Sequence, residues 1–182
     1  RQILEDTINY IPPRVKIEIS CLSMDEPTEL RQIRSLIGES FDGEDTDADS
    51  LARTVVPTRT FLEKLFLLAE EFQKEKPRSV RMSRHLYDLA KLMDTEYGVE
   101  ALSNRTLYDA IVEHRKAYYA LKYVNYDLHA PSTINFTIPE SVIGAWQDDY
   151  TDMKRFFIYG ESLEFEALMQ KMKELQERVK IL

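Results

Sequence analysis

Two stretches, Phe61-Leu62-Glu63-Lys64-Leu65-Phe66-Leu67-Leu68 and Leu86-Tyr87-Asp88-Leu89-Ala90, decide the fold class of the second half of this chain. Around the first stretch, apolar residues recur at 61, 65, 68 and 72, which is the spacing of a helix with one buried face. We therefore predict two helices, over 58–76 and 81–97. Each carries a charge among apolar neighbours, Lys64 on the first and Asp88 on the second. Such a charge is costly unless it is paired or used.

A basic run links the two predicted helices in a chain of net charge −8. Its members are Lys74, Lys76, Arg78, Arg81, Arg84 and His85. A basic island on an acidic protein indicates an anionic partner, and the start of a helix favours anions through its free N–H groups and its dipole. We predict a phosphate site formed by Lys64, Arg81, Arg84 and His85. The alternatives are a solvated charged face and, for Lys64 and Asp88, a purely structural ion pair.

Upstream, residues 14–20 alternate strictly between apolar and polar, which predicts a half-buried strand. Glu18 lies in the middle of its polar face, where a carboxylate could hold Mg²⁺, an ion that prefers oxygen ligands. The alternative for Glu18 is an exposed glutamate paired with Lys16.

The hydrophobic pattern of the remaining sequence predicts a fold of the α+β class that is mainly α. Residues 28–37 fit either a short helix or a strand with a turn, and a strand at 51–56 ends at Pro57. We predict a capping box of Thr60 and Glu63 on the first helix, and a second helix that is capped by Ser83 and ends at Gly98. A third helix is capped by Asn104, and an irregular link follows at 124–138. A fourth helix starts at Pro139 and is broken by Gly160, and a last helix spans about 162–181. We divide the chain into residues 1–57, with the strands, and a helical domain at 58–182.

The amino-acid composition excludes some classes of protein. The 182 residues are 43% hydrophobic, enough for a core, and contain no apolar run of membrane-spanning length. No signal peptide opens the sequence, so we expect a cytoplasmic protein with no membrane partner. A single cysteine, Cys21, excludes an intrachain disulfide. The acidity argues against a protein that coats nucleic acid broadly, but it permits a local basic groove.

Two longer segments resemble a known family. Val56-Pro57-Thr58-Arg59-Thr60-Phe61-Leu62-Glu63-Lys64-Leu65 and Arg81-Met82-Ser83-Arg84-His85-Leu86-Tyr87-Asp88-Leu89 look like the C-terminal half of the AbiEii/AbiGii-type nucleotidyltransferase toxins. These proteins resemble DNA-polymerase-β-type nucleotidyltransferases and act in toxin–antitoxin and phage-abortive systems. The resemblance extends over about residues 14–180 and is strongest at 56–92.

The resemblance implies roles for individual residues. Lys64 matches the nucleotide-contacting lysine of the family, and Asp88 matches the catalytic aspartate of its Tyr-Asp-Leu motif. Arg81 and Arg84 match its basic positions, and Glu18 its third carboxylate. It also implies Mg²⁺ as cofactor, an NTP as substrate, transfer to RNA such as tRNA, and a cognate antitoxin as partner.

One departure from the family pattern bears on activity. The family's Gly-Gly/Ser turn and Asp-x-Asp strand should precede Arg1, so we expect this chain to be the C-terminal portion of a longer enzyme. We expect it to be inactive alone, because nucleotidyl transfer with two metal ions needs the Asp-x-Asp carboxylates. The competing hypothesis is a non-catalytic helical module that binds an antitoxin or RNA.

Overall fold

The computed structural model describes residue 17 and residues 28–41 and 49–182. The class is α+β and mainly α, as predicted. In chain order the elements are β1 (Thr28–Arg34), α1 (Leu36–Ser40), β2 (Asp49–Val55), α2 (Pro57–Glu71), α3 (Ser83–Leu92), α4 (Glu96–Ala101), α5 (Arg105–His114), α6 (Ile143–Phe156) and α7 (Phe165–Lys180). Within the described ranges, we find no helix that is long and apolar enough to cross a membrane.

The strands β1 and β2 form an antiparallel hairpin, in register from Thr28 opposite Val55 to Arg34 opposite Asp49. The open choice at 28–37 is thus settled as a strand followed by the short helix α1, and the strand predicted at 51–56 is confirmed as β2. The strand predicted at 14–20 lies outside the described residues, except for Ile17, which is exposed and not part of a strand.

The first long helix starts earlier and ends earlier than predicted. Pro57 occupies its first turn, where the missing N–H costs nothing. The capping box is therefore wrong: Thr60 lies inside α2, and Val56 precedes the helix without a side-chain cap. The helix ends at Glu71, so residues 72–76 belong to the following turn.

The second predicted helix is two helices, α3 and α4, joined by a sharp turn at 93–95. Thr95 caps α4 by accepting a hydrogen bond from the N–H of Gly98 at 3.4 Å. Gly98 does not end a helix, as we predicted from the sequence, but lies inside α4. A Cβ there would come within 2.2 Å of the Leu92 carbonyl oxygen, so this close approach requires glycine.

The later helices follow the sequence pattern, but the fourth predicted helix is shorter than expected: α6 begins at Ile143, after Pro139, and ends at Phe156, so Gly160 does not break it. Asn104 caps α5 by accepting from the N–H of Leu107 at 2.9 Å. A π-helical turn, Arg115–Tyr119, extends α5 and ends at Ala120 in a left-handed conformation. The link at 124–138 is irregular, as predicted, apart from a 3₁₀ turn at Tyr126–His129, and a second 3₁₀ turn, Glu140–Val142, leads into α6.

Buried side chains of the described residues form one core. Its hydrophobic members all lie between residues 61 and 179. The predicted stripe of α7 is buried throughout, at Phe165, Leu168, Met172, Leu175 and Val179. Helix α3 packs against α2, α6 and α7, and this central position brings the Lys64 helix and the Asp88 helix side by side.

Candidate phosphate-binding site

Lys64 and Asp88 meet across the α2–α3 interface. The Lys64 Nζ lies 2.7 Å from the Asp88 Oδ2, and the two side chains are 23% and 38% exposed. The pair therefore lies at the surface edge of the core, not inside it. Exposed ion pairs contribute only about 0–1 kcal/mol to stability, so most of the fold does not depend on this pair.

Three cationic side chains lie close to His85. The imidazole is 8% exposed, and its burial, together with the charges of Lys64, Arg84 and Arg78, lowers the pKa of His85 to about 4. His85 is therefore neutral at pH 7, and it serves as a hydrogen-bonding group and not as a cation. Arg84 itself is exposed.

Glu71 organises the loop that carries the basic run. Its carboxylate accepts hydrogen bonds from the side chain of Arg78 at 2.7 and 3.0 Å, from the Arg78 N–H at 2.8 Å and from the Lys74 Nζ at 2.8 Å. Burial alone would raise the pKa of Glu71, but these bonds from Arg78 and Lys74 hold it below its usual range. The loop therefore returns Arg78 to the end of α2.

Asp149 was not found by sequence reasoning, although it fixes the start of α3. Its carboxylate accepts from the N–H of Arg81 at 2.5 Å, the N–H of Ser83 at 2.9 Å and the Ser83 hydroxyl at 2.5 Å. The predicted cap by Ser83 is therefore wrong, because Met82 precedes the helix and Asp149 on α6 supplies the cap. Its position on the apolar stripe between Trp146, Tyr150 and Met153 is the signal that could have identified it.

This cap changes the predicted basis for anion binding. Two backbone N–H groups at the start of α3 already donate to the Asp149 carboxylate, which also balances the helix dipole. Arg81 lies there with a positive φ of 59°. An anion on this face would therefore meet the side chains of Lys64, Arg78 and Arg84, which lie near His85, and not free N–H groups of the helix start.

A second network, also missed from the sequence, lies on the other side of α2. Arg115 forms two hydrogen bonds with Glu70, at 2.7 and 2.5 Å, and one with Glu63, which also pairs with Arg59 at 2.9 Å. Burial alone would raise the pKa of Glu70, but the hydrogen bonds from Arg115 and the neighbouring His129, whose Nε2 lies 3.7 Å from the Glu70 Oε1, hold it below its usual value. Arg115 and Glu70 are both almost fully buried, so this network holds α5 onto α2.

The described residues do not fit a magnesium site. Glu18, the predicted ligand, lies outside them. In the described ranges, no group of three or more His, Cys, Asp and Glu side chains could hold a metal ion. The carboxylates of Asp88 and Glu71 on this basic surface are already paired with lysine or arginine, whereas Mg²⁺ needs oxygen ligands without a competing cation.

A family model described as "Nucleotidyl transferase AbiEii toxin, Type IV TA system" matches residues 2–171, nearly the whole chain. Neither the curated proteins nor the solved structures gave a significant match.

Proposed function

The chain belongs to the AbiEii nucleotidyl transferase toxin family of type IV toxin–antitoxin systems, and on this premise we propose that it serves the transfer of a nucleotide from an NTP to RNA, with tRNA as the acceptor. We propose further that Mg²⁺ is the cofactor, that the protein works in the cytoplasm and that a cognate antitoxin is a partner. In this proposal, a domain boundary between residues 57 and 58 separates the part with the strands from the helical part, which binds the substrate.

One observation carries this proposal: Lys64 and Asp88 lie 2.7 Å apart at the edge of a surface that also holds Arg78 and Arg84. Asp88 orients the Lys64 ammonium through their ion pair, and Lys64 supplies a point charge and donors to a phosphate. Because the pair is partly exposed, a triphosphate oxygen can reach it from solvent.

The neighbouring residues extend the anion-binding surface. Arg84 is exposed and offers the planar donors that suit phosphate oxygens. Neutral His85 accepts a hydrogen bond from the Arg84 Nε at 3.5 Å and so helps to place the Arg84 guanidinium. Arg81, whose backbone Asp149 holds, contributes its guanidinium to the RNA backbone or to phosphate. Because the described residues do not fit Mg²⁺, we assign none of these side chains to metal binding.

The test is a transfer assay with labelled NTPs, Mg²⁺ and total tRNA, on the full-length protein. We expect Lys64→Ala and Asp88→Ala to reduce labelled RNA at least tenfold without unfolding. Lys171→Ala is the matched control, since Lys171 pairs with Asp94 at 2.6 Å with similar exposure, 33% and 48%, on another face.

Full transfer activity in both Lys64→Ala and Asp88→Ala would contradict the assigned roles. Absence of transfer by the wild-type protein with every NTP would contradict the proposed function itself and favour the alternative, a helical module that binds an antitoxin or RNA.

A further inference from the structure

A pocket of about 410 Å³ lies between the end of α2 and the irregular link that precedes α6. Phe72 and Leu128 contribute apolar surface to it, and Thr133, Asn135 and Thr137 contribute hydroxyl and amide groups. Pockets of this size that combine an apolar wall with a few polar groups are typical of small-ligand sites.

The polar wall follows from the alternation of the link. Residues 133, 135 and 137 are exposed, whereas Ile134, Phe136 and Ile138 are buried in the core. In an extended segment successive side chains point to opposite sides, so the buried residues force the polar ones outward. The Gln176 side chain fixes this segment, since it donates to the Ile134 carbonyl at 2.7 Å and accepts from the Phe136 N–H at 3.3 Å.

The pocket adjoins the basic loop. Gln73 lines the pocket and accepts a hydrogen bond from the Asn125 N–H at 2.7 Å. The next residue, Lys74, places its Nζ 5.3 Å from the centre of the Tyr123 ring, and Glu71 joins Lys74 to Arg78. The Lys74 ammonium and the Tyr123 ring therefore lie beside the pocket.

We propose that this pocket holds a nucleobase, with the attached phosphates on the Lys74 and Arg78 side. A nucleobase has apolar faces, which stack on aromatic rings such as Phe72, and polar edges, which match amide and hydroxyl groups. This inference rests on the proposed function. Phe72 directly follows the helix that carries Lys64, and the base in the pocket is either that of the NTP or one of the RNA acceptor.

The test removes the polar wall. In the double variant Asn135→Ala/Thr137→Val both changes are at exposed positions, and Asn135→Leu alone is a second variant that keeps the bulk. The matched control is Gln147→Ala/Thr151→Val, which alters a separate pocket of about 320 Å³ on α6. Far-ultraviolet circular dichroism and a melting curve confirm the fold of each variant.

Two pairs of probes distinguish the source of the base. One pair is an NTP and the corresponding ribose triphosphate without a base; the other is a short single-stranded RNA and the same strand with abasic sites. We expect the wild-type and control proteins to prefer the base-containing member of one pair about tenfold, as base stacking contributes roughly 1–3 kcal/mol. We expect the pocket variants to lose that preference. The pair affected identifies the source.

Unchanged preference in both pocket variants, for both pairs, would overturn the inference. It would leave the proposed function intact if the wild-type protein still transfers nucleotides. Base-dependent binding that the variants lose, in a protein that transfers no nucleotide, would instead support the pocket and refute the proposed function.

Discussion

His85 shows how the basic surface affects single residues. Its imidazole is buried beside three cations, Lys64, Arg84 and Arg78, so protonation would add a fourth positive charge to a poorly hydrated position. Desolvation and like charges both disfavour the charged form of histidine. The neutral form is therefore a structural requirement of the site.

The lowered pKa of His85 predicts acid sensitivity. In the unfolded chain the group takes up its proton near pH 6.5, but in the folded chain only near pH 4. The unfolded state therefore binds more protons in this window, and the folded state loses stability as the pH falls through it. Between about pH 7 and about pH 5, we expect wild type to lose roughly 2 kcal/mol more than His85→Gln, measured by urea denaturation. Equal losses would show that His85 does not titrate in this way.

Glu70 is a second residue whose buried environment determines how much its substitution changes the stability of the protein. Its carboxylate is 4% exposed and is bonded bidentately to Arg115, which is also buried. We expect Glu70→Gln to lower the free energy of unfolding by about 3–5 kcal/mol, because it leaves Arg115 buried without its main counter-ion. Thermal and urea denaturation measure this loss.

The control for this change is Asp109→Asn. Asp109 pairs with Arg105 at 2.9 Å, but both side chains are more than half exposed, so we expect a loss of at most about 1 kcal/mol. Equal losses for Glu70→Gln and Asp109→Asn would contradict the structural role of the buried network.

At the scale of the element, the start of α3 depends on a residue that lies more than sixty positions later in the chain. The carboxylate of Asp149 accepts two backbone N–H groups and one hydroxyl there. Local sequence could not reveal this cap, since no side chain close to the helix start provides it. The same contact fixes α3 to α6, and so it fixes the position of Asp88 on α3.

Removal of this cap should weaken the helix start. We expect Asp149→Ala to lower the free energy of unfolding by about 2–3 kcal/mol, because the buried N–H and hydroxyl of Ser83 and the partly buried N–H of Arg81 lose a charged acceptor. The neighbouring Asp148 is exposed, and Asp148→Ala is expected to stay within about 0.5 kcal/mol of wild type. Chemical denaturation compares the two variants, and similar stabilities would contradict the capping role.

Elements were predictable where their signals are local. The stripe of α7 and the cap by Asn104 depend on residues within a few positions of each other, and both are confirmed. Predictions failed where distant contacts decide the structure. Thr60 and Glu63 have the spacing of a capping box, yet Glu63 pairs instead with Arg115 from α5, and Gly98 serves the packing of α4 on Leu92 instead of ending a helix.

At the scale of the whole molecule, the hydrophobic core of the described residues lies in the helical part. Among residues 28–41 and 49–182, all buried hydrophobic side chains lie between positions 61 and 179, whereas on the β1–β2 hairpin Leu30 and Leu51 are 66% and 71% exposed. Arg31 on β1 donates to the Tyr97 hydroxyl at 3.3 Å, an exposed contact of small energetic weight. This distribution supports a boundary near residue 57.

This boundary predicts an autonomous folding unit. We expect residues 57–182, expressed alone, to unfold in one cooperative transition within about 5 °C of the melting temperature of the whole chain, because a loss near 1 kcal/mol shifts Tm by a few degrees. Differential scanning calorimetry measures both. A non-cooperative or much lower transition would show that residues before 57 complete the core.

The candidate site was predictable in part for a physical reason. Lys64 and Asp88 stand out as charges in apolar helical sequence, and the structure brings them into contact. The neutral state of His85 and the control of the basic loop by Glu71 depend on burial and on three-dimensional proximity, which spacing does not encode. The roles of these residues in nucleotide transfer stay predictions.

The central claim, that Lys64 binds the phosphates of an NTP, is tested most directly by equilibrium binding of each NTP to the protein as encoded, with Lys64→Met and Lys171→Met compared side by side. We expect Lys64→Met to weaken the affinity at least tenfold, which corresponds to about 1.4 kcal/mol, with an unchanged melting temperature and with Lys171→Met equal to wild type. An affinity of Lys64→Met that equals that of wild type would contradict the claim and leave the Lys64–Asp88 contact a structural ion pair.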